Sequence, residues 1–137
     1  MAATKPLNTP LTAAEIATLC AGTQRGADFR ALKISTDSRS LQAGELFIAL
    51  RGPNFRGEDF LAAAKGQGAV AAIVAEYRPD VDLPQIIVAD TRAALQALAR
   101  DRRARSQAQF FAITGSNGKT STKEILQRLL QTRGQTL

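Results

Sequence analysis

The sequence predicts an α/β fold, a small and mainly parallel sheet flanked by helices, followed by an incomplete strand, loop and helix unit. Short apolar runs typical of buried strands alternate along the chain with segments of helical periodicity. The run at residues 69–74 is continuously apolar, which is typical of a central strand covered on both faces. Alternation of strands and helices favours a parallel sheet with helices on its faces.

The first predicted helix has a start and a stop signal. Thr12 and Glu15 have the spacing of a capping box, in which each residue accepts a hydrogen bond from the other's backbone. The helix is predicted to run through Cys20 and to stop at Gly22. Cys20 falls on the apolar side of this helix, so we expect it to be a small core residue.

The remaining elements of the first hundred residues follow from the same patterns. Strands are predicted around residues 32–34 and over residues 45–50, 69–74 and 85–89. A polar turn is predicted at 36–39 and a Gly-rich loop at 51–57. Helices are predicted at 59–65 and from Thr91 onwards. The last helix ends in a cluster of basic side chains: Arg100, Arg102, Arg103 and Arg105.

Composition limits the classes of function. The chain has 137 residues, 45% apolar content and a net charge of +6, which favours a soluble globular protein and is compatible with an anionic partner. The arginine cluster has two interpretations. It either complements the dipole of its helix or forms part of a non-catalytic nucleotide- or nucleic-acid-binding module. Aromatic content of only 5% argues against a stacking platform for single strands.

Cysteine and histidine usage excludes several kinds of site. Cys20 is the sole cysteine and histidine is absent, so the chain cannot build an internal disulfide, a Cys/His metal site or a Ser-His catalytic pair. The first residues lack the apolar core of a secretory signal, and no long apolar run indicates a membrane span. We therefore expect a cytoplasmic protein without membrane insertion.

A glycine-bracketed turn at residues 113–120 carries the strongest functional signal. It ends in Gly118-Lys119-Thr120 and lies between an apolar run at 109–113, predicted to be a buried strand, and an amphipathic segment at 123–130, predicted to be a helix. The general phosphate-loop pattern has a further glycine where this chain has Ile113, so the motif is a shorter variant.

The residue types of this turn suit a polyphosphate. Glycines at 115 and 118 allow positive φ and let several backbone N–H groups approach phosphate oxygens. Lys119 is predicted to be the catalytic counter-charge to the β- and γ-phosphates, and the Thr120 hydroxyl is predicted to bind Mg²⁺. The predicted ATP-binding residues are Gly115, Ser116, Asn117, Gly118, Lys119, Thr120 and Ser121.

A domain boundary is predicted near Ser106 and Gln107, where the basic helix ends. This gives a first domain at residues 1–107 and a truncated second domain at 108–137. The second stretch has one predicted strand, the loop and one helix, with residues 135–137 resembling the start of another strand. Such a unit cannot bury both faces of its elements, so we expect its terminal helix to be loosely held.

Three stretches, at residues 36–52, 59–69 and 114–124, resemble the Mur ligase family, which builds the peptidoglycan precursor of bacteria. The resemblance covers nearly the whole chain and is strongest to the branch that adds D-alanyl-D-alanine. The Asp-Ser-Arg turn with the following Gly-Glu-Leu-Phe strand is the fairly specific part. The phosphate loop alone would not separate the branches.

The resemblance implies that the first domain binds UDP-N-acetylmuramoyl-tripeptide and that the second binds ATP and Mg²⁺. The implied reaction phosphorylates the substrate carboxylate, after which the amine of D-alanyl-D-alanine attacks the acyl phosphate. The residues that the resemblance assigns to the UDP side are Thr36, Ser38, Arg39, Pro53, Asn54 and Phe55. Asp37 and Arg39 could instead simply stabilise a turn. We expect a monomer with no specific nucleic-acid partner, and a 137-residue chain that binds substrate without catalysing the reaction.

Overall fold

The computed structural model describes residues 9–132 and residue 134, and the chain divides into two compact units. The first unit ends at Ser106 and the second begins at Gln107. Each unit has its own secondary structure. The predicted strand start at 135–137 and the residues at the amino terminus lie outside the described part.

The first unit contains short strands and three α-helices among its described residues. The strands are β1 (Leu11–Thr12), β2 (Thr23–Arg25), β3 (Arg30–Ala31), β4 (Ile34–Ser35), β5 (Leu46–Ile48), β6 (Arg51–Gly52), β7 (Phe55–Arg56), β8 (Ala71–Val74) and β9 (Gln85–Ile87). The helices are α1 (Ala13–Leu19), α2 (Leu61–Gly66) and α3 (Thr91–Arg105), and a 3₁₀ turn at Gly57–Phe60 precedes α2.

The main sheet has five strands in the order β2-β9-β8-β5-β4. The pairs β4 with β5, β5 with β8, and β8 with β9 are parallel, whereas β2 joins the edge antiparallel to β9. β8 is the middle strand, which confirms the prediction for the apolar run at 69–74. The predicted α/β class with a mainly parallel sheet is also confirmed.

Side-chain alternation along β5 divides the core into two clusters. Leu46 and Ile48 point to the cluster that α1 and α3 cover, and Phe47 points to the cluster on the opposite face, which α2 covers. The strand is buried along its whole length. Successive residues of a strand face opposite sides of the sheet, and here both sides are covered by helices.

The ends of α1 follow local rules. Thr12 and Glu15 form the predicted capping box, with each bonding the other's backbone. At the other end, the Gly22 amide donates to the Ala17 carbonyl and the Ala21 amide donates to the Thr18 carbonyl, the pattern of a Schellman motif.

The reason for the glycine at position 22 differs from the expected one. The residue in the left-handed region is Ala21, with φ of 50°. A Cβ at Gly22 would lie 2.7 Å from Ile86 Cγ2 and 2.9 Å from the Ile87 carbonyl oxygen. Gly22 is therefore needed because the chain passes close to β9.

Two predictions about strands in the first unit need correction. The single strand expected around residues 32–34 is two strands in different sheets, because β3 pairs with β1 whereas β4 pairs with β5. A bend at Leu32 separates them. The Gly-rich loop at 51–57 contains the hairpin of β6 and β7. The first difference arises because β3 and β4 pair with separate strands that are distant along the chain, which local patterns do not report. The second is a local pairing, in which Arg51 lies opposite Arg56 and Gly52 lies opposite Phe55.

The α3 helix begins at an N-cap that the periodicity did not identify. Asp90 accepts hydrogen bonds from the amides of Arg92 and Ala93, and its helix buries Ala94 and Leu98 against the sheet. α3 spans 15 residues. Within the described ranges, no helix has the length and apolarity that a membrane crossing requires.

The described residues of the second unit form one helix, α4 (Lys119–Gln131), as the periodicity at 123–130 predicted. The buried strand predicted at residues 109–113 is wrong. This segment has no strand hydrogen bonding, and Phe110 and Phe111 are more than half exposed. A strand needs a neighbour to pair with, and residues 107–132 offer no second strand.

We expect α4 to exchange its amide hydrogens much faster than β8. None of the described side chains of α4 is buried, whereas all four residues of β8 are, and local opening is easiest where few apolar contacts oppose it. Hydrogen exchange followed by mass spectrometry or NMR measures this directly. Equal protection of the two elements would contradict the expectation.

Candidate functional site

The turn before α4 has the backbone conformation that its glycines predicted. Gly115 has φ of 147° and Gly118 has φ of 76°, values that residues with a Cβ rarely adopt. Gly118 is also the N-cap of α4 and contributes no side-chain cap to the first amides of the helix. The positive end of the helix dipole is therefore left accessible to an anion.

Lys119 and Thr120 are the first two residues of α4 and lie beside this turn. The Lys119 ammonium donates a hydrogen bond to the Gly115 carbonyl oxygen and so reaches across the base of the loop. Both residues line a shallow depression of about 270 Å³, together with Phe111, Ile113 and Lys123. The depression thus combines a mobile cation, a hydroxyl and a helix N-terminus, the groups that a polyphosphate and its metal ion use.

The residues predicted for the UDP side occupy one edge of the main sheet in the first unit. Residues 36–39 follow β4, and the hairpin of β6 and β7 follows β5. Since β4 and β5 are parallel neighbours, both segments leave the sheet at its carboxyl edge. In open α/β sheets this is the edge at which ligands bind.

The turn after β4 is stabilised by Asp37. Its Oδ1 accepts hydrogen bonds from the Arg39 amide and from Arg39 Nε, each at 2.9 Å, which is the turn-stabilising arrangement considered from the sequence. Hydrogen bonds from the Arg39 side chain and backbone lower the pKa of Asp37 to about 2. Of the neighbouring candidates, Thr36 is exposed and Ser38 is buried.

The hairpin after β5 presents the other candidates. β6 and β7 are joined by the exposed residues Pro53 and Asn54. The Phe55 ring packs onto Gly52, because a Cβ at position 52 would lie 2.2 Å from Phe55 Cε1. About half of the Phe55 side chain remains exposed, with a relative accessibility of 52%. The lack of a side chain at Gly52 thus leaves room for the aromatic ring, and much of the ring's surface stays open.

A buried carboxylate under this hairpin was not identified from the sequence. Glu58 is 1% exposed. Its Oε1 and Oε2 accept from Arg51 Nε at 3.0 and 3.3 Å, Arg51 Nη2 lies 2.9 Å from Oε1, and the Ala75 amide donates to Oε1 at 3.3 Å. A buried charge needs such partners to offset its desolvation.

The ion pairs continue from Glu58 to the surface. Arg51 Nη2 also lies 2.9 Å from Glu76 Oε1, and Glu76 pairs with Arg56. Arg51 is in β6, Arg56 is in β7, and Glu76 follows β8. The network therefore joins both strands of the hairpin to the end of the central strand. We refer to Arg51, Arg56, Glu58 and Glu76 as the hairpin network.

One sequence feature could have indicated this network. A glycine at position 57 is followed directly by a carboxylate at position 58. From the sequence alone, these residues indicate only a loop. The partner of Glu58, Arg51, lies seven residues earlier and is brought close only by the hairpin.

We expect the contribution of Glu58 to stability to depend on pH. Burial alone would raise the pKa of this carboxyl, but hydrogen bonds from Arg51 and backbone amides outweigh it and lower the pKa below its ordinary 4.5. Its contribution is therefore complete above pH 4.5 and is lost as pH falls further. The measurement is the free energy of unfolding of the unchanged chain and of Glu58→Gln between pH 7 and pH 3. The difference should shrink below pH 4.5; a constant difference would contradict this.

The arginine cluster at the end of α3 is partly engaged within the first unit. Arg102 donates to the Leu32 carbonyl oxygen at 3.2 Å, and Arg105 pairs with Asp101 one turn earlier. The cluster also lies at the carboxyl end of its helix, where positive charge is favourable. This position agrees with the dipole interpretation of the cluster.

Cys20 lies in the core as a structural residue. It packs partly buried against the cluster that α1 and α3 cover. Burial raises the pKa of its thiol to about 11, so the thiolate is disfavoured at neutral pH.

Comparison with known proteins identifies related sequences. UDP-N-acetylmuramoyl-tripeptide--D-alanyl-D-alanine ligase of Escherichia coli (strain K12) is 43% identical over 128 residues, which is 93% of this chain and 28% of that protein. The chain thus spans little more than a quarter of the length of this curated relative.

Solved structures agree in fold. A crystal structure of MurF from Acinetobacter baumannii has a TM-score of 0.79 at 36% identity, covering 90% of this chain and 28% of its own. MurF ligase from Thermotoga maritima in complex with ADP has a TM-score of 0.63 at 33% identity. The match covers 74% of this chain and 23% of the Thermotoga maritima chain.

A family profile matches the sequence directly. The profile described as "Mur ligase family, catalytic domain" covers residues 32–103. The matched region contains the turn after β4 and the hairpin after β5, and it ends before the phosphate loop. Because it extends over more than half of the 137 residues, the chain belongs to the Mur ligase family.

Proposed function

We propose that this chain supplies the UDP-substrate-binding region and the phosphate loop of an ATP-dependent ligase that adds D-alanyl-D-alanine to UDP-N-acetylmuramoyl-tripeptide. The observation that carries the proposal is the loop of Gly115 and Gly118 followed by Lys119 at the start of a helix. The similarity to relatives that bear this ligase name supports the choice of substrates. The chain thereby contributes to synthesis of the peptidoglycan precursor.

The phosphate loop fits ATP with Mg²⁺. Gly115, Gly118 and the free helix N-terminus allow backbone amides from Ser116 to Ser121 to meet phosphate oxygens. Lys119 would exchange its bond to the Gly115 carbonyl for one to a phosphate. Thr120 would give Mg²⁺ one hydroxyl ligand, the others coming from phosphate oxygens and water. The ADP complex of the Thermotoga maritima relative supports a nucleotide here.

In this assignment the protein's contribution to phosphoryl transfer is positioning and charge stabilisation. ATP supplies the phosphoryl group that activates the substrate carboxylate as an acyl phosphate. Lys119 offsets the negative charge that accumulates on the phosphates, and the loop amides fix their orientation. The amine of D-alanyl-D-alanine then attacks the activated carbonyl, the bond from this carbon to the phosphate oxygen breaks, and the amide forms as inorganic phosphate and a proton leave.

The carboxyl edge of the first unit fits the UDP part of the substrate. Thr36, Arg39 and Asn54 are exposed there and carry hydrogen-bonding groups. Phe55 offers an aromatic surface to a base. Ser38 is buried beside them and is assigned by family resemblance.

We expect the 137-residue chain to bind UDP-N-acetylmuramoyl-tripeptide and to release no ADP. Binding follows from the intact carboxyl edge. We expect no turnover because this chain covers only 28% of the length of the Escherichia coli relative. Isothermal calorimetry measures the binding, and a coupled assay for ADP measures turnover. Robust multiple-turnover synthesis by the purified chain would contradict the second expectation.

As a matched control, UDP and uridine are each titrated into the chain in parallel with the complete substrate. Affinity shared by the substrate and UDP would assign the binding to the UDP part. Circular dichroism shows whether the chain is folded. If the folded chain gives no heat with the complete substrate or with UDP, the assignment of the UDP site to the first unit is contradicted.

A further inference from the structure

Glu58, in the hairpin network, is the one charged side chain that is buried among the described residues, and the proposed function leaves it without a role. Glu58 is buried at 1% exposure and points its carboxylate at Arg51 rather than at solvent. Burying a carboxylate is costly, and an apolar residue of similar size could fill the space. We infer that Glu58 is a positioning residue, which acts through Arg51 to hold the β6–β7 hairpin in the orientation that presents Phe55 and Asn54 to the UDP part of the substrate.

The chain enters the hairpin network by a short path. Gly57 passes directly over the end of β5, where a Cβ would lie 2.4 Å from the Ala49 carbonyl carbon and 2.5 Å from the Leu50 oxygen. This contact brings Glu58 beneath the hairpin. The carboxylate then has fixed partners on two sides, the Arg51 guanidinium and the Ala75 amide.

The hairpin network restrains two very short strands. β6 and β7 have two residues each and pair only with one another. Isolated two-stranded hairpins are marginal in water. Arg51 binds Glu58 from β6 and Arg56 binds Glu76 from β7, so each strand is tied by an ion pair to the region around the end of β8.

This restraint bears on ligand binding. The tip residues Pro53 and Asn54 and the Phe55 ring are exposed, so packing does little to hold them. A loop that is already ordered does not have to lose conformational freedom when its ligand binds. Without Glu58, Arg51 keeps only Glu76, which is itself 57% exposed, and the hairpin should become mobile.

The experiment compares UDP affinity of the unchanged chain, Glu58→Gln, and Ile73→Val at 10 °C, with folding of each verified by circular dichroism. Glu58→Gln keeps the size of the side chain and removes its charge. Ile73→Val lowers stability through the core, because the Ile73 side chain belongs to the cluster that α1 and α3 cover and makes no contact within the hairpin network's ion pairs. We expect Glu58→Gln to weaken binding at least 10-fold and Ile73→Val to leave it within 2-fold. Parallel losses in both variants would mean a purely structural role and would overturn the inference.

A second readout does not need a ligand. Backbone amide resonances of Gly52 and of residues 54–56 should broaden or shift in Glu58→Gln and stay unchanged in Ile73→Val. Glu76→Gln, at an exposed position, should fold normally and give an intermediate loss of affinity. Unchanged hairpin resonances in Glu58→Gln would overturn the inference.

The inference rests on the proposed UDP site, and the outcomes separate the two. If the unchanged, folded chain fails to bind UDP, the proposed function of the first unit fails and this inference with it. If the unchanged chain binds UDP and Glu58→Gln binds equally well, the inference alone fails.

Discussion

Replacing Lys119 by methionine is expected to weaken ATP binding by about 10- to 100-fold, because a charge-assisted hydrogen bond contributes about 1.5–3 kcal/mol. Lys119 lies in the first turn of α4, and its ammonium already bonds a carbonyl of the loop. Methionine keeps most of the length of the side chain and removes its charge. Calorimetry with ATP and Mg²⁺, or displacement of a fluorescent ATP analogue, measures the change.

The matched control is Arg128→Met on the same helix. It removes the same net charge from the last turn of α4, away from the loop. We expect its ATP affinity to change by less than about 2-fold at physiological salt, where exposed charges beyond the Debye length of about 8 Å are screened. Equal losses in the two variants would indicate non-specific attraction and would refute the specific role of Lys119.

Replacing Gly57 by alanine is expected to lower the free energy of unfolding by about 3 kcal/mol or more. The new Cβ would lie between 2.4 and 2.6 Å from three backbone atoms of Ala49 and Leu50. Backbone cannot move aside as a flexible side chain can, so the overpacking strains the end of β5. Urea unfolding followed by circular dichroism measures the loss.

Gly66→Ala is the control for this substitution. Gly66 is the last residue of α2, and a Cβ added there would have no neighbouring side chain or distant backbone within 4 Å. Alanine has the higher helix propensity, so this variant should be neutral or stabilised by up to about 1 kcal/mol. If Gly57→Ala changes the free energy of unfolding no more than Gly66→Ala does, the chain at Gly57 does not pass as close to the end of β5 as described.

The two glycines of the phosphate loop show how far local sequence can predict a site. Gly115 and Gly118 adopt positive φ as predicted, and the helix starts at Lys119. Nucleotide binding by this loop stays a prediction, as do the roles of Thr36, Ser38 and Arg39. Family membership is confirmed by the matched profile.

The predicted strand at 109–113 failed for an instructive reason. An apolar run shows that a segment would be stable if buried, but strand structure also requires a neighbouring strand to pair with. In the described part of the second unit, no such strand is present. The same limitation explains why β2 was missed, since Thr23–Arg25 is a polar edge strand that pairs with β9, which is distant along the chain.

By itself, the sequence determined the features that depend on neighbours within a few residues. These include the capping box of Thr12 and Glu15, the buried central strand and the glycine turn before α4, because backbone preference and side-chain periodicity are local properties. Only the tertiary structure decided that Glu58 lies buried under the hairpin against Arg51 and the Ala75 amide. That arrangement depends on where β5 and β8 end relative to each other, and parallel pairing of distant strands sets it.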